Sequence, residues 1–163
     1  MKDVIAECHR VLDELFLRHQ EAVLTGNLDE AGRLLDGFKE PHHLHMRFED
    51  EVLIPKLAEL GDRGRWRASL YTDEHAKIQQ LLAKTEAELR HLGRAELSGS
   101  ALHREIIAFL DDEKTFKGVC EHHQQREETG ILPELDEQTD SAWRAAVIES
   151  FLAAWNACKQ PGF

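Results

Sequence analysis

A histidine followed four residues later by a glutamate occurs twice in this chain, within two segments that resemble each other. The first segment begins at Phe38 and reads FKEPHHLHMRFEDEVLIPKL; the second begins at Phe116 and reads FKGVCEHHQQREETGILPEL. Four residues are slightly more than one helical turn, so the two side chains project from the same face of a helix. Imidazole and carboxylate groups brought together in this way are metal ligands, and the pattern therefore predicts metal chemistry.

A second resemblance joins the stretches that precede these two segments. ECHRVLDELF, from Glu7, aligns with DEHAKIQQLL, from Asp73, so that His9 matches His75. The chain is thus predicted to be a helical hairpin written twice, with one inward His on each first helix and His-x-x-x-Glu on each second helix. The residues predicted to share an interior metal site are His9, His45, Glu49, His75, His123 and Glu127.

The predicted site has a charge problem that metal ions would solve. Two carboxylates buried side by side are costly unless cations neutralise them. Two ions would do so, with each Glu contributing one oxygen to each ion and the imidazoles filling outer positions. Mixed imidazole and carboxylate ligation suits iron or manganese. Six protein ligands also leave coordination positions for exogenous oxygen ligands.

The elements that must position these residues are helices. Few prolines and glycines interrupt the chain, and apolar residues recur with the 3.6-residue period of a helix. Helices are predicted over residues 2–25, 28–60, 66–91, 98 or 100 to 135, and 140–158. Pro41 and Pro55 should bend the second helix, or break it near Pro41, and Gly26 with Asn27 should close the first helix and open the second. A turn is expected at residues 61–64.

These helices predict an all-α fold. Four long helices with short connections are best buried as an antiparallel up-down four-helix bundle. We assign residues 1–137 to the bundle and residues 138–163 to an additional C-terminal helix, which packs on the bundle as a lid or edge helix or serves as a self-association surface. The protein is expected to be a monomer or a homodimer.

Composition excludes several classes of partner. The chain is 42% hydrophobic and 31% charged, with a formal net charge of -11, which is typical of a globular protein and argues against nucleic-acid binding. No apolar stretch approaches the roughly 20 residues that span a bilayer, so we expect no membrane partner.

The cysteines and the N-terminus predict a cytoplasmic location. Cys8, Cys120 and Cys158 have no Cys-x-x-Cys spacing, which favours reduced thiols over a zinc site or disulfides. The first residues show no apolar signal segment.

A ferritin-like architecture is the competing di-iron design. It requires two Glu-x-x-His motifs and a lone Glu on each remaining helix. That motif occurs at Glu40 and His43 but has no counterpart in the second half of the chain. The sequence therefore favours the His-x-x-x-Glu interpretation.

The two His-x-x-x-Glu segments, with His9 and His75 upstream, resemble the hemerythrin-like HHE cation-binding family from Met1 to Leu135. The resemblance implies a four-helix bundle around a non-heme di-iron centre with an oxo or hydroxo bridge, and the same six ligands. It departs from the oxygen-carrying hemerythrins one turn after His75, where Gln79 stands in place of a fifth histidine.

Several nearby residues remain open in role. His42 either substitutes for the fifth histidine or lies behind the ligands or at the surface, beside Pro41, and His19 is expected at the surface or behind the ligands. His43, His91, His103 and His122 should point away from the site. Asp50 and Glu128 are expected to orient ligand imidazoles. Cys120, one turn before His123, is expected to be a buried, inert thiol, or an oxidation-sensitive one if it reaches the site.

Three functional hypotheses follow. The first is a protein that binds or senses dioxygen, nitric oxide or iron at the di-iron centre. The second is a di-iron enzyme that acts on dioxygen or peroxide, or an iron donor for the repair of iron-sulfur clusters. The third is a helical scaffold without metal. Whether the protein is an enzyme is left open by the sequence.

Overall fold

The computed structural model describes residues 1–61 and 65–158, and the regular elements in these ranges are all helical. The all-α prediction is confirmed. The elements in chain order are α1 (Lys2–Leu24), α2 (Leu28–Phe48), a π-helical turn (Glu49–Leu53), α3 (Ile54–Glu59), α4 (Ala68–Arg94), α5 (Gly99–Thr129), α6 (Ile131–Gln138) and α7 (Ser141–Cys158). Most of the predicted turn at residues 61–64 lies outside the described residues, as do the last five residues of the segment assigned to the C-terminal helix.

The connection between α1 and α2 is built as the sequence predicts. Gly26 has a φ of 75°, a left-handed conformation that glycine adopts without steric cost. The backbone N–H groups of Gly26 and Asn27 donate to the carbonyl groups of Val23 and Ala22, which closes α1. The Asn27 side chain then accepts a hydrogen bond from the backbone N–H of Glu30 and caps α2.

The long helix predicted over residues 28–60 is interrupted before Pro55 and not at Pro41. Helix α2 continues through Pro41, so the alternative of a break there is wrong. In the π-helical turn the N–H of Ile54 reaches the carbonyl of Glu49, five residues back. This wider turn makes room for the proline that follows, which has no N–H and would clash in a regular helix. The irregular turn begins at Glu49, a predicted ligand.

The last long helix is divided at Gly130, where the prediction has it running to residue 135. Gly130 has φ -128° and ψ -94°, which ends α5, and α6 begins at the next residue. The hydroxyl of Tyr71 accepts a hydrogen bond from the backbone N–H of Ile131 at 3.2 Å. A Cβ at position 130 would lie 2.6 Å from Trp66 Cε3 and 2.7 Å from the Tyr71 hydroxyl. Close packing therefore requires glycine here.

Replacing Gly130 by alanine should destabilise the protein by about 1 to 3 kcal/mol, because the added methyl overlaps Trp66 and Tyr71. Gly118 is the matched control: it lies inside α5 and an added Cβ there meets nothing within 4 Å. Gly118→Ala should stabilise the helix by about 0.5 to 1 kcal/mol. Urea unfolding of both variants measures the difference, and equal effects of the two substitutions would refute this role for Gly130.

The four long helices pack in a closed circuit. Helix α1 contacts α2 and α5, and α4 contacts the same two helices. Buried aliphatic and aromatic side chains from all four form one core, and Phe16 contacts Phe38 and Phe116 near its middle. The described part of the chain has no helix long and apolar enough to cross a membrane.

Helix α7 covers one side of α2. Phe151 and Trp155 are buried, and the Phe151 ring lies 4.7 Å from that of Phe48 and 6.1 Å from that of His45, measured between centroids. The C-terminal helix thus packs beside a predicted ligand.

A buried polar network ties α1, α2 and α5 together away from the predicted site. The prediction that His19 lies at the surface or behind the ligands is wrong, because its side chain is fully buried against Glu113. His19 Nδ1 donates to the carbonyl of Ala31 at 2.8 Å, and Nε2 lies 2.7 Å from Glu113 Oε1. Gln20 donates to the other Glu113 oxygen at 2.9 Å. Both buried groups are therefore satisfied, as burial of polar atoms requires.

Replacing Glu113 by leucine should destabilise the protein by roughly 3 kcal/mol, since His19 would lose its partner in the core. The double variant His19→Leu with Glu113→Leu should regain part of that loss. Asp111→Leu, an exposed carboxylate on the same helix, is the control and should change stability little. Thermal unfolding compares the variants; a Glu113→Leu effect no larger than that of Asp111→Leu would show that the pair does not stabilise the fold.

Candidate metal centre

The six residues predicted from the sequence meet in the protein interior. Each has no more than 3% of its surface exposed. Their ligand atoms form two groups, and within each group the atoms lie within 4.8 Å of one another. The first group contains His9, His45, Glu49 and Glu127, and the second contains Glu49, His75, His123 and Glu127. The two glutamates belong to both groups.

Each shared carboxylate directs one oxygen to each group. Glu49 Oε1 lies 3.2 Å from His45 Nε2, and Glu49 Oε2 lies 3.3 Å from His75 Nε2. Glu127 Oε2 lies 3.0 Å from His9 Nε2, and Glu127 Oε1 lies 2.7 Å from His123 Nε2. This is the distribution of oxygens that the sequence predicts for two neighbouring ions.

The spacing within each group suits a common cation. The Nε2 atoms of His9 and His45 are 3.1 Å apart, and those of His75 and His123 are 2.8 Å apart. Ligands about 2.1 Å from one ion, at right angles to each other, lie about 3.0 Å apart. Glu49 Oε2 and Glu127 Oε2 are buried without a hydrogen bond of good geometry. Unsatisfied buried carboxylate oxygens are costly, and a metal ion would satisfy them. The residues present therefore fit a metal centre.

Carboxylates behind three of the imidazoles fix the direction of the lone pairs. His9 Nδ1 lies 2.8 Å from Glu128 Oε1, and His75 Nδ1 lies 2.8 Å from Asp50 Oδ1. The predicted contacts of Asp50 and Glu128 with imidazoles are thus confirmed. Because a carboxylate only accepts, each Nδ1 donates its hydrogen, and in the neutral ring the lone pair is left on Nε2, which faces the centre.

Sequence reasoning missed a third carboxylate of this kind, Glu74, which lies 3.0 Å from His123 Nδ1. Glu74 is also paired with Arg126, whose guanidinium lies over the ring of Trp66. The signal was available, because Glu74 directly precedes His75 just as Asp50 directly follows Glu49. The contact was missed because Glu74 and His123 are 49 residues apart in the sequence.

The fourth imidazole lacks this support. His45 Nδ1 is buried with no hydrogen-bond partner. The internal repeat explains the asymmetry: alignment of His9 with His75 places Cys8 where the second half has Glu74. A thiol at that place supplies no carboxylate, so the first group is held by one outer carboxylate and the second by two.

The electrostatics of the cluster favour positive charge at its centre. Burial lowers the pKa of His9, but hydrogen bonds to Glu127 and Glu128 and the charges of Glu127 and Glu49 outweigh it and raise the pKa to about 9. The pKa values of His75 and His123 are raised against burial by their neighbouring glutamates. Burial raises the pKa of Glu127, yet His123 and the other imidazoles hold it well below its ordinary value. Protons supply the positive charge here, and metal ions can replace them.

Other histidines lie outside the two groups. His43, His91, His103 and His122 are exposed, as predicted, and Gln79 is exposed as well. His42 is buried beside Phe38 but belongs to neither group. Within the described ranges, the two ligand groups therefore contain the imidazoles of His9, His45, His75 and His123 and no other.

Removal of an outer carboxylate should weaken metal binding without removing a ligand. We expect Asp50→Ala to lower metal affinity about 10- to 100-fold, because His75 loses the acceptor that orients it. Glu51→Ala is the matched control, since Glu51 is the next residue and is exposed. Competition with a chelator of known affinity measures both variants, and an unchanged affinity in Asp50→Ala would contradict the orienting role.

Comparisons with known proteins add no family to this description. No protein-family model matches the chain, and no significant match is found among curated proteins or solved structures. The geometry of the centre carries the functional conclusion.

Proposed function

We propose that this chain is a non-heme di-iron protein of the hemerythrin-like type, which binds or senses dioxygen, nitric oxide or iron. One observation carries the proposal: four imidazoles and two carboxylates, all buried, form two ligand groups that share both carboxylates. One oxygen of each buried carboxylate, Glu49 Oε2 and Glu127 Oε2, has no hydrogen bond in the protein, and a cation would satisfy both.

The proposed scaffold is an antiparallel up-down four-helix bundle. Contacts between α1 and α2 run in opposite directions along the two helices. His9 contacts His45, and the later residue His19 contacts the earlier residue Ala31. The same reversal relates α2 to α4, since Lys39 pairs with Glu86 whereas Asp50 pairs with His75. These pairings support alternating helix directions. Two ligand-bearing hairpins would then face each other across the interior.

Iron is the proposed metal, with manganese as the alternative. Neither ligand group contains a thiolate, and imidazole with carboxylate suits redox-active first-row ions better than a structural zinc site. The described cysteines form no disulfide, which supports the reducing cytoplasm as the proposed location.

The protein's own groups would prepare the site for a small ligand. Glu49 and Glu127 would hold the two ions at neighbouring positions, and Asp50, Glu74 and Glu128 would keep three imidazole lone pairs directed inward. When bound, a pair of irons supplies open positions and a change of oxidation state for binding dioxygen or nitric oxide. The buried surroundings would limit the access of bulk water.

Anaerobic reconstitution with ferrous iron tests this function. The full chain is loaded, freed of excess iron, and exposed separately to air, nitric oxide and peroxide while its absorption spectrum is recorded. We expect spectral changes that disappear in Glu127→Ala, which takes a shared ligand from both groups, and persist in Glu121→Ala, a control at an exposed carboxylate on the same helix. A spectrum that reverses on deoxygenation supports binding, whereas repeated consumption of peroxide supports the enzyme alternative. An absorption spectrum that does not change with air, nitric oxide or peroxide would refute the proposal.

A further inference from the structure

The two ligand groups have the same inner ligands but different surroundings. Each group consists of two imidazoles and the two shared carboxylates, so the inner ligands alone predict equal affinity for an ion. The groups differ at the outer ring nitrogens, Nδ1, of the imidazoles. A metal-bound imidazole ordinarily donates the N–H of its outer nitrogen to an acceptor, and loss of such an acceptor typically lowers metal affinity about 10- to 100-fold.

Both imidazoles of the second group have an acceptor of this kind. His75 Nδ1 donates to Asp50 at 2.8 Å, and His123 Nδ1 donates to Glu74 at 3.0 Å. The side chain of Glu74 is only 18% exposed, and its other oxygen pairs with Arg126, which holds the carboxylate in place. Both rings are therefore fixed in the tautomer that directs the Nε2 lone pair to the centre.

The first group has only one such acceptor. His9 Nδ1 donates to Glu128 at 2.8 Å, whereas His45 Nδ1 is buried and has no hydrogen-bond partner. The Phe151 ring lies beside His45, with centroids 6.1 Å apart, and a phenyl ring has no lone pair to accept an N–H. When His45 Nε2 gives its lone pair to an ion, the ring hydrogen must lie on Nδ1, where it is an unsatisfied buried donor. Metal binding at His45 is therefore less favourable than at the other three rings.

We propose that the second group is the high-affinity metal site and the first group the weaker, exchangeable site, so that ions fill the centre in a fixed order. The inference rests on the metal-binding part of the proposed function. The missing acceptor at His45 predicts that the first group binds ferrous iron about 10- to 100-fold more weakly than the second. At low iron the chain then holds one ion, at His75 and His123, and it completes the pair only when iron is more abundant. A response that needs both irons would thus be regulated by iron supply.

Equilibrium dialysis of the metal-free full chain against a series of ferrous iron concentrations, without oxygen, tests the order of filling. We expect bound iron to rise in two steps, first to one ion and then to two ions per chain, with dissociation constants that differ at least about tenfold. Two irons that bind in a single step would overturn the inference and leave the di-iron proposal intact. A chain that binds no iron would overturn both.

Repulsion between two ions also separates the affinities of equal sites, so variants that keep one complete group decide which site is stronger. His9→Ala leaves the second group complete, and His123→Ala leaves the first group complete. We expect each variant to bind one ion, and His9→Ala to bind it about 10- to 100-fold more tightly than His123→Ala. Equal affinities, or tighter binding by His123→Ala, would contradict the proposed order.

Glu74→Ala keeps all six ligands and leaves His123 Nδ1 without its acceptor, as His45 Nδ1 is in the unaltered chain. It should weaken the tighter binding step about 10- to 100-fold and change the weaker step little. Asp73→Ala is the matched control, since Asp73 directly precedes Glu74 and is exposed, and it should change neither step. Circular dichroism of the same samples checks that the variants are folded. A tighter step that Glu74→Ala leaves unchanged would show that the outer carboxylates do not set the order.

Discussion

Replacing Glu127 by alanine should remove both metal ions from the protein. Its two oxygens point to different ligand groups, at 3.0 Å from His9 Nε2 and 2.7 Å from His123 Nε2. The substitution therefore deletes one ligand from each group and half of the negative charge that neutralises the ions. Three ligands with one carboxylate bind iron far more weakly than four ligands with two. Metal per chain, measured after anaerobic loading and desalting, should fall from about two to near zero.

A histidine variant gives the contrasting result. His9→Ala changes only the first group, whereas Glu49, His75, His123 and Glu127 remain complete. We expect about one ion per chain, because the second group also keeps both of its outer carboxylates. The control for Glu127→Ala is Glu121→Ala, which removes an exposed carboxylate from the same helix, α5, and should retain both ions. Equal metal content in the Glu127 and His9 variants would contradict the sharing of Glu127 between two ions.

Metal binding should also stabilise the fold, and more strongly at high pH. An ion present at about a thousand times its dissociation constant adds about 4 kcal/mol of stability, which raises the melting temperature of a chain of this size by about 10 °C. Iron loading should produce at least this shift, and a chelator should reverse it. Scanning calorimetry with and without metal measures the shift.

The pH dependence follows from the raised pKa of His9. In the metal-free protein this pKa is about 9 against an ordinary 6.5, so the stability it contributes is fully present below about pH 6.5 and is lost as the pH rises through about 9. Ions compete with these protons, so metal binding strengthens over the same range. The metal-induced shift in melting temperature should therefore be larger at about pH 9 than at about pH 6. A shift that shrinks with rising pH would refute this competition.

The periodicity of apolar residues was enough to predict the helices and their approximate limits. The site residues were also predictable from spacing. Each copy of His-x-x-x-Glu places a His and a Glu on one face of its helix, and the alignment of His9 with His75 identifies the remaining two residues. In a helix, side chains four residues apart point in nearly the same direction, so this spacing is sufficient. The structure brings these six side chains together, and their role as ligands stays a prediction.

The features that sequence reasoning missed depend on contacts between distant residues. His19 is buried because Glu113, 94 residues away in the sequence, supplies a partner for its ring in the core. Glu74 likewise acts on His123 from another helix. The division of α5 from α6 falls at Gly130, where Trp66 and Tyr71 approach the backbone closely. Among these effects, the contact of Glu74 had a signal in the sequence, its place directly before His75, whereas the pairing of His19 with Glu113 has no spacing that indicates it.

The most direct test of a di-iron centre is the metal content of the unaltered chain. The protein is loaded with ferrous iron without oxygen, passed through a desalting column, and analysed for iron and protein in the same sample. The arrangement of two buried ligand groups predicts about two irons per chain, which remain bound during desalting. A chain that retains no iron would contradict the account, and one that retains a single iron would contradict the presence of two sites.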